Sequence, residues 1–518
     1  MSSSKAEILW VDDEIDLLRP HIMFLEDRGY HITPVPNAED ALILIKDHYF
    51  DLVLLDEMLN GMDGLEALSE IKDLNPSLPV IMVTKSEEES LMEEAIGQKI
   101  DDYLTKPVNP SQILSSLKKI LESNKIEGEK LSREYVSKFN QISYQLMNPM
   151  TWQDWIDIHV KLSEWEIELD QHPGLGLRQV LLDQKRECNV EFGKFVEQNY
   201  SNWLNGEEGP QLSVDIISNS VIPIIDSGIK TVFIVMDNLR LDQWCAIEPL
   251  LYPYFTISKS YYYSILPTAT PYSRNAIFSG LYPGELEQQY PDIWSNEADD
   301  SSRNRYERQL LDLQLSARGF ELKPEPKYVK ILDVHEAKSV EKHISSYARL
   351  PLFSIVINFV DFLAHSRSDS EILKEIVPNE PAYRSLTRSW FEHSYIFRIL
   401  QELSRLGNTV ILTSDHGSIR SKRGAKVIGD RETSTNLRYK FGRSLKCDPK
   451  HAIHLKEPKD FRLPSNRLTT NYLIAKEDYY FVYPTDYHHY LNYYKDSFQH
   501  GGVSLEEMIL PIIKMEAK

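Results

Sequence analysis

The chain has 518 residues, a net charge of -21 and a hydrophobic content of 42%. This length predicts about three domains, and the acidic balance excludes a protein that coats nucleic acid through its overall field. Three widely spaced cysteines exclude a disulfide framework and a cysteine-based zinc site, and they are typical of a reducing compartment. Because no apolar leader follows Met1 and no stretch of about 18 apolar residues occurs, we expect a cytoplasmic protein without membrane insertion.

Residues 4–122 form the first predicted domain, in which short apolar stretches alternate with helical patterns. Four such stretches predict strands, at 8–11, 51–55, 79–83 and 102–105. The clearest helical pattern begins at Pro110, behind a predicted cap at Asn109. The alternation predicts a parallel sheet with helices on both faces. The polar residues that follow the strands then meet at one edge of the sheet.

Three carboxylates and one ammonium group are expected at that edge. They belong to Asp12, Asp13, Asp56 and Lys106. A divalent cation relieves the repulsion between crowded carboxylates, and oxygen ligands of this kind suit Mg²⁺. The physical expectation is a magnesium site with one carboxylate left as a nucleophile for a phosphoryl group.

This constellation resembles the receiver domain of response regulators. Six residues match in order and at the family's spacing: Asp12, Asp13, Asp56, Thr84, Tyr103 and Lys106. The resemblance implies that Asp56 is the phosphoacceptor, that Lys106 contacts the phosphoryl group, and that Thr84 and Tyr103 are the switch pair. It also implies a cis peptide bond before Pro107.

The same resemblance implies one Mg²⁺, held by Asp12, Asp13, Asp56 and the backbone carbonyl of Met58. It further implies a sensor histidine kinase as partner and a homodimer that forms on phosphorylation. The alternative is a flavodoxin-like domain whose acidic residues are incidental.

Residues 123–206 predict a three-helix bundle that acts as a spacer. A polar joint is predicted at 125–130, and the following helix ends before Pro149. Thr151 and Asp154 predict a capping box for the second helix, which carries three tryptophans. We interpret these tryptophans as bundle core, with a binding face as the alternative. The third helix is predicted from about 177 to 204.

Residues 207–518 again alternate strands and helices, and polar residues follow the predicted strands. The strands are predicted at 231–235, 261–266, 353–357 and 410–412. The polar residues that follow them, together with a histidine near the C-terminus, are Asp237, Thr270, Asp361, His365, Asp415, His416 and His500.

Three aspartates, three histidines and one threonine suffice for two metal sites, and this mixture of ligands suits zinc. Two such ions about 3.5–4 Å apart clamp the attacking and leaving oxygens of phosphoryl transfer. A threonine hydroxyl bound to one of them loses its proton more readily and becomes a nucleophile.

The arrangement resembles the alkaline phosphatase superfamily and, more narrowly, its PglZ-type branch, whose C-terminal mark is similar to residues 500–507. The resemblance implies that Asp237, Thr270, Asp415 and His416 hold one zinc ion. It implies that the second zinc ion is held by Asp361, His365 and His500. Thr270 matches the nucleophile, with Thr268 as the fallback. An inert domain that keeps this fold is the alternative.

A basic segment, residues 420–446, contains nine lysines or arginines and two acidic residues. A solvated loop is the default interpretation of such a run. The functional hypothesis is that Arg431, Asn436 and Arg438 line the path of the substrate phosphate. We assign no oxyanion role to Asn275. Four other histidines are interpreted as surface or core residues: His451, His454, His488 and His489.

Together the three parts resemble the PorX-type response regulators, which are associated with type IX secretion. The resemblance implies that phosphorylation of Asp56 controls a zinc-dependent phosphodiesterase acting on cyclic or linear oligonucleotides. The alternative is a docking effector that binds a sigma factor or a secretion-motor protein, with zinc in a structural role. Sulfatase and phosphomutase chemistry are disfavoured, because neither Cys nor Ser stands at the position of Thr270.

Overall fold

The first 135 residues fold around five parallel strands, β1 (Ala6–Val11), β2 (Tyr30–Val35), β3 (Leu52–Asp56), β4 (Val80–Thr84) and β5 (Asp102–Thr105). Their spatial order is β2-β1-β3-β4-β5. The structure is a computed structural model, which describes residues 5–75, 78–84, 100–294, 305–429, 434–465 and 470–518. Within this unit the described helices include Arg19–Glu26, Ala38–Asp47, Gly64–Leu74 and Pro110–Leu117.

Both faces of this sheet are covered, because successive strand residues point to opposite sides. Leu9 and Val53 pack with the helices Ala38–Asp47 and Gly64–Leu74. Their neighbours Ile8, Trp10 and Leu54 pack with the other two helices on the opposite face. The predicted fold class is confirmed, but the sheet has five strands where four were predicted. The strand missed was β2.

Three helices connect the receiver-like sheet to the rest of the chain: Ser123–Leu146, Trp152–Gln171 and Arg178–Leu204. The first runs through residues 125–130, so the predicted joint there is wrong. The Thr151 side chain accepts from the backbone N–H of Asp154 as predicted. Trp155 is buried and packs against Phe192, with ring centroids 5.4 Å apart. This tryptophan therefore belongs to the core.

Residues 136–518 form the second unit, so most of the residues predicted as a spacer belong with the C-terminal domain. We call residues 123–206 the linker and residues 207–518 the effector. Its main sheet contains β6 (Thr231–Met236), β7 (Phe255–Tyr263), β8 (Lys327–Ile331), β9 (Leu352–Ile357), β10 (Thr409–Thr413) and β18 (Ile509–Ala517), in the order β7-β18-β10-β6-β9-β8. The strands β10, β6, β9 and β8 are parallel, and β18 is antiparallel to both of its neighbours. β6, β9 and β10 are fully buried, as expected of central strands covered on both faces.

Seven short strands form three further small sheets. They are β11 (Ile419–Arg420), β12 (Arg423–Lys426), β13 (Tyr439–Gly442), β14 (Ala452–Leu455), β15 (Asn471–Ala475), β16 (Tyr479–Val482) and β17 (Phe498–Gln499). The pairs are β11-β17 and β12-β16, and the third group is β13-β15-β14. Nine of the 23 described residues of the basic segment, for which a solvated loop was the default interpretation, therefore lie in strands.

The described effector helices are Ile222–Asp226, Leu241–Ile247, Thr270–Ser279, Pro283–Gln289, Glu307–Ala317, Val334–Tyr347, Phe359–Asp369, Glu371–Ile376, Glu380–His393, Tyr395–Arg405, Tyr487–Tyr494 and Leu505–Met508. In the part of the chain that is described, none of the helices has the length and apolar character needed to cross a bilayer. The C-terminal ends of β6, β9 and β10 lie at one edge of the sheet, where open α/β sheets bind their ligands.

Candidate functional site

The acidic residues of the receiver-like unit meet at the C-terminal edge of its sheet. Lys106 Nζ lies 2.8 Å from Asp12 Oδ2 and 2.8 Å from Asp56 Oδ2. Asp12 and Asp56 are buried, whereas Asp13 is exposed and accepts a hydrogen bond from Asn60. Ligand atoms of the three aspartates all lie within 4.8 Å of one another. The sequence-predicted acids and lysine are therefore brought together.

Burial sets the protonation of this site. It raises the pKa of the Asp56 carboxyl, although the hydrogen bond from Lys106 acts in the opposite direction. Burial alone acts to lower the pKa of Lys106, but the hydrogen bonds to Asp12 and Asp56 and the negative charges of these two carboxylates together outweigh it and raise that pKa. Asp56 Oδ1 is buried without a hydrogen-bond partner among the described residues. A buried carboxylate oxygen of this kind fits a cation or an incoming electrophile.

The other receiver residues lie around the same edge. Thr84 is buried at the end of β4, and Tyr103 in β5 is half-buried. The Met58 side chain is exposed, just after β3. The peptide bond between Lys106 and Pro107 is cis, as predicted.

In the effector, the first group of candidate ligands surrounds the hydroxyl of Thr270. Asp237 follows β6, and Asp415 and His416 follow β10; all three are buried. Thr270 Oγ1 lies 2.9 Å from His416 Nε2 and 3.4 Å from Asp237 Oδ1. His416 Nδ1 lies 3.1 Å from the carbonyl oxygen of Gly417, which can only accept. Nδ1 therefore carries the proton, and Nε2 presents its lone pair toward Thr270.

The second group lies beside the first. Asp361 and His365 share one face of the helix Phe359–Asp369, as their spacing predicts. His365 Nε2 is 3.4 Å from Asp361 Oδ1 and 3.3 Å from His500 Nε2. The rings of His416 and His500 stack with centroids 4.2 Å apart, so the two groups are adjacent.

Arg274 supports the carboxylates from within the fold and was not assigned a role from the sequence. Its guanidinium is fully buried and forms ion pairs with Asp237, with Asp415 at 3.0 Å and with Glu307 at 3.4 Å. Tyr328 also donates to Glu307, which is itself buried. A buried guanidinium that bridges two candidate metal ligands fixes their positions and offsets their charge.

Two asparagines, also unpredicted, orient the same carboxylates. Asn358 Nδ2 donates to Asp237 Oδ2 at 2.9 Å, and Asn238 Nδ2 donates to Asp361 Oδ1 at 3.2 Å. Asn238 has a φ of 64°, a left-handed conformation that asparagine tolerates. Both residues directly follow strands that deliver site residues, and that position is the signal that could have identified them.

The environment shifts several pKa values at this site. Burial, offset in part by Arg274, raises the pKa of Asp237 to about 7. Burial and the neighbouring His416 hold the pKa of His500 well below its usual value, so its imidazole is neutral. Burial opposes ionisation of Asp361, but its hydrogen bond with His365 and the neighbouring histidines together outweigh this effect and lower its pKa. Neutral imidazoles beside carboxylates provide the lone pairs that metal ligation needs.

A cavity of about 580 Å³ opens onto both groups. Its wall includes Thr270, Asn436 and Lys330. Of the predicted substrate-binding residues, Asn436 thus borders the cavity, and Arg431 lies outside the described residues. The prediction for Arg438 is wrong, because its guanidinium is fully buried and binds Glu507.

The other residues considered from the sequence belong to neither ligand group. Thr268 is buried, and its hydroxyl donates to the carbonyl of Gly502 at 2.7 Å. Asn275 Nδ2 donates to the carbonyl of Pro271 in its own helix. The four histidines interpreted as surface or core residues are half-buried or exposed and belong to neither ligand group: His451, His454, His488 and His489.

A C-terminal turn connects the linker to the metal-ligand loop. Lys185 and Asn189, on the helix Arg178–Leu204, contact Glu506 at 3.1 Å and 3.0 Å. The Glu507 carbonyl accepts from the N–H of Gly417. A Cβ at Gly417 would lie 2.0 Å from the Glu506 carbonyl oxygen, so only glycine fits there. We call these five residues the linker latch.

The donor sets fit metal ions. In each effector group the ligand atoms lie within 4.8 Å of one another, and carboxylates mix with imidazoles as zinc prefers. The receiver group offers oxygen ligands alone, which suits magnesium. His416 has the outer hydrogen bond that metal-binding histidines normally make.

Three families of domains match consecutive parts of the chain. Residues 8–118 are similar to the response regulator receiver domain, and residues 125–204 to the PorX response regulator linker domain. Residues 216–515, more than half of the chain, match the BREX system PglZ alkaline phosphatase-like domain. Alkaline phosphatase-like and receiver domains generally bind metal ions.

Individual proteins resemble the N-terminal part. The transcriptional regulatory protein ZraR of Salmonella typhimurium is 32% identical over 142 residues, which cover 27% of this chain and 32% of that protein. The transcriptional regulatory protein ResD of Bacillus subtilis is 33% identical over 119 residues, which cover 23% of this chain and 49% of that protein. The chain thus matches no more than half the length of these curated relatives. A CheY-like receiver structure from Methanospirillum hungatei JF-1 has 32% identity and a TM-score of 0.23, and covers 23% of this chain and 97% of that one.

Proposed function

Because the chain belongs to the PglZ alkaline phosphatase-like family, in the PorX-type order of receiver, linker and PglZ domain, we propose that it is a phosphorylation-controlled phosphodiesterase. Its nucleophile is Thr270, and its effector holds two zinc ions. The substrate class is cyclic or linear oligonucleotides, which the family resemblance suggests.

The position of the Thr270 hydroxyl carries this proposal. Oγ1 lies within hydrogen-bonding distance of His416 Nε2 and close to Asp237, on the wall of the cavity that also exposes the second ligand group. Thr270 is the first residue of the helix Thr270–Ser279, so the positive end of the helix dipole faces the anion that develops there. Both features favour an attacking alkoxide.

The chain's own residues have distinct roles in this scheme. Asp237, Asp415 and His416, together with the adjacent Thr270, would hold one zinc ion, and Asp361, His365 and His500 would hold the other. When bound, the two ions supply Lewis acidity to the attacking and leaving oxygens. Arg274 holds Asp237 and Asp415 in place, and Asn358 and Asn238 orient the carboxylates.

The first test combines zinc content with hydrolysis of bis-p-nitrophenyl phosphate by the wild-type protein and two variants. Thr270→Ala should lower turnover by about a thousandfold or more while the protein keeps its fold, because the nucleophile is gone. Thr270→Ser keeps a hydroxyl and should retain measurable turnover. Background rates that are equal in all three proteins would show that this chain does not act through Thr270.

For the receiver we propose that a sensor histidine kinase phosphorylates Asp56, with one Mg²⁺ bound by Asp12, Asp13, Asp56 and the Met58 carbonyl. The buried, partnerless Oδ1 of Asp56 and the Lys106 ammonium beside it support this role. Phosphorylation would drive homodimer formation. Beryllofluoride with Mg²⁺ should therefore raise the sedimentation coefficient of the wild type and leave that of Asp56→Asn unchanged. Equal behaviour of both proteins would refute the dimer proposal.

The match to the PorX linker domain supports a place in the regulation of type IX secretion. The competing function is a docking effector for a sigma factor or a secretion-motor protein. The two are separated in cells. If Thr270→Ala at normal abundance stops secretion, catalysis is required, whereas unimpaired secretion would favour docking.

A further inference from the structure

The effector cavity contains an amine that the proposed chemistry leaves without a role. Among the described residues that line the cavity, Lys330 is the one that carries an ammonium or guanidinium group. The rest of the wall is carboxylate, imidazole, amide, hydroxyl or apolar. A substrate phosphate that is not held by the metal-ligand groups would therefore meet Lys330 as its cationic neighbour.

The strand β8 fixes the position of Lys330. This edge strand runs parallel to β9, and Lys330 pairs with Val356 near the end that faces the site. Tyr328, two residues earlier, points to the same face of the sheet. Tyr328 and Lys330 both contact the carboxylate of Glu307, Lys330 at 3.4 Å. The lysine is thus oriented by its own strand and by a buried acid.

Lys330 shares the carboxylate of Glu307 with a second cation. Glu307 contacts both Lys330 and Arg274. Arg274 is held by Asp237 and Asp415 as well, on the side of the nucleophile. Lys330 therefore stands across Glu307 and Arg274 from the metal-ligand carboxylates, and its side chain keeps contact with solvent at 25% exposure.

We propose that Lys330 forms a subsite for a second phosphate of the substrate, next to the ester that is cleaved. This inference rests on the proposed phosphodiesterase function and narrows its substrate class. Esters that carry an additional phosphate one nucleoside away from the scissile bond are preferred over esters that have none. An ion pair with a phosphate is a charge-assisted contact that simple diesters cannot make.

Two matched pairs of chromogenic substrates test the subsite. One is thymidine 3′-(p-nitrophenyl phosphate) with and without a 5′-phosphate, and the other is thymidine 5′-(p-nitrophenyl phosphate) with and without a 3′-phosphate. Within a pair, the scissile ester and leaving group are identical. In at least one pair, the wild type should show about tenfold higher kcat/KM for the phosphorylated member, mostly through KM. Added salt should weaken this preference.

Three variants test whether Lys330 causes the preference for the phosphorylated substrate. Lys330→Met should abolish the preference and leave the unphosphorylated member within about twofold of wild type. Lys330→Arg should keep it. Lys327→Met is the matched control on the same strand, since the Lys327 ammonium lies 5.6 Å from the Tyr347 ring centroid and Lys327 is not part of the cavity wall. This control should behave as wild type. Zinc content is measured for every variant.

The outcomes separate this inference from the function on which it rests. No hydrolysis of any of the four esters by zinc-loaded wild type would refute the phosphodiesterase proposal itself. Hydrolysis without a phosphate preference, or with a preference that Lys330→Met retains, would refute the subsite alone. An equal loss on both members of a pair would also overturn it, because Lys330 would then act at the scissile phosphate or through Glu307 and Arg274.

Discussion

The receiver and the effector build their sites in the same way, at the C-terminal edge of parallel strands, but they stabilise the clustered acids differently. In the receiver, the single ammonium of Lys106 bridges Asp12 and Asp56. In the effector, the buried guanidinium of Arg274 bridges Asp237 and Asp415. Histidines belong to the described metal-ligand clusters of the effector and not to that of the receiver.

This difference agrees with the two kinds of phosphoryl chemistry that we propose. An aspartate nucleophile with oxygen ligands alone suits a phosphoryl group that is stored as a signal. A threonine nucleophile between two mixed carboxylate and imidazole groups suits a group that is passed on to water. The proposed division of labour therefore follows from ligand chemistry as well as from the order of the domains.

The metal requirement of each site is the strongest test of this comparison. Removal of zinc with 1,10-phenanthroline should abolish phosphodiesterase turnover, and Zn²⁺ rather than Mg²⁺ should restore it, because imidazole ligands favour zinc. Phosphorylation of Asp56 by acetyl phosphate should require Mg²⁺ and survive the chelator. Both activities are measured on one protein preparation. The comparison fails if one metal supports both reactions equally.

Removal of the buried cation should have the next largest effect. Arg274→Met leaves Asp237, Asp415 and Glu307 buried without their common partner, so the free energy of unfolding should fall by about 3–5 kcal/mol. Urea unfolding in EDTA measures this change without compensation by bound metal.

A control for this substitution lies on the helix Glu307–Ala317. Arg308 is exposed and lies 3.9 Å from Asp312, so Arg308→Met should change the free energy of unfolding by about 0–1 kcal/mol. If Arg274→Met were as mild as this control, Arg274 would not be holding the carboxylates together.

The smallest expected effect is the pH dependence of the free energy of unfolding of the receiver. Burial raises the folded pKa of Asp56 above its ordinary value of 3.8, so the folded receiver keeps a proton that the unfolded chain has already released. The free energy of unfolding should therefore decrease as pH rises from about 3.8 toward the raised value. Asp56→Asn removes this contribution. Urea-dependent hydrogen exchange of β1 and β3 peptides in EDTA measures the free energy of unfolding of both proteins. The difference between the wild type and Asp56→Asn should grow over that pH interval. A difference that does not change with pH would contradict this prediction.

Much of the fold was predictable because apolar strands leave a clear signal in the sequence. β6 and β10 are uninterrupted apolar runs and were predicted nearly to the residue. β2 was missed because its exposed residues and Pro34 dilute the pattern. The prediction of a joint at residues 125–130 was wrong because polar residues can also form a helix when the residues on both sides are helical.

The residues of the candidate site were predictable where they directly follow predicted strands. Asp237, Asp415 and His416 follow central strands, so the sheet alone brings them together. Arg274 and Glu307 lie on helices, and no local pattern reveals that their side chains converge on the same carboxylates. Arg438 was misassigned for the reverse reason, because a charge run does not show which of its members is buried against Glu507.

The linker latch has a consequence for how such proteins diversify. Lys185 and Asn189 of the linker contact the turn whose backbone packs against Gly417, beside the candidate metal ligand His416. A recombination event that replaced only the linker would also have to supply new partners for Glu506. An event that replaced only residues before Val136 would leave the linker latch intact. We therefore expect linker and effector to be inherited as one block, with the sensory input as the exchangeable part.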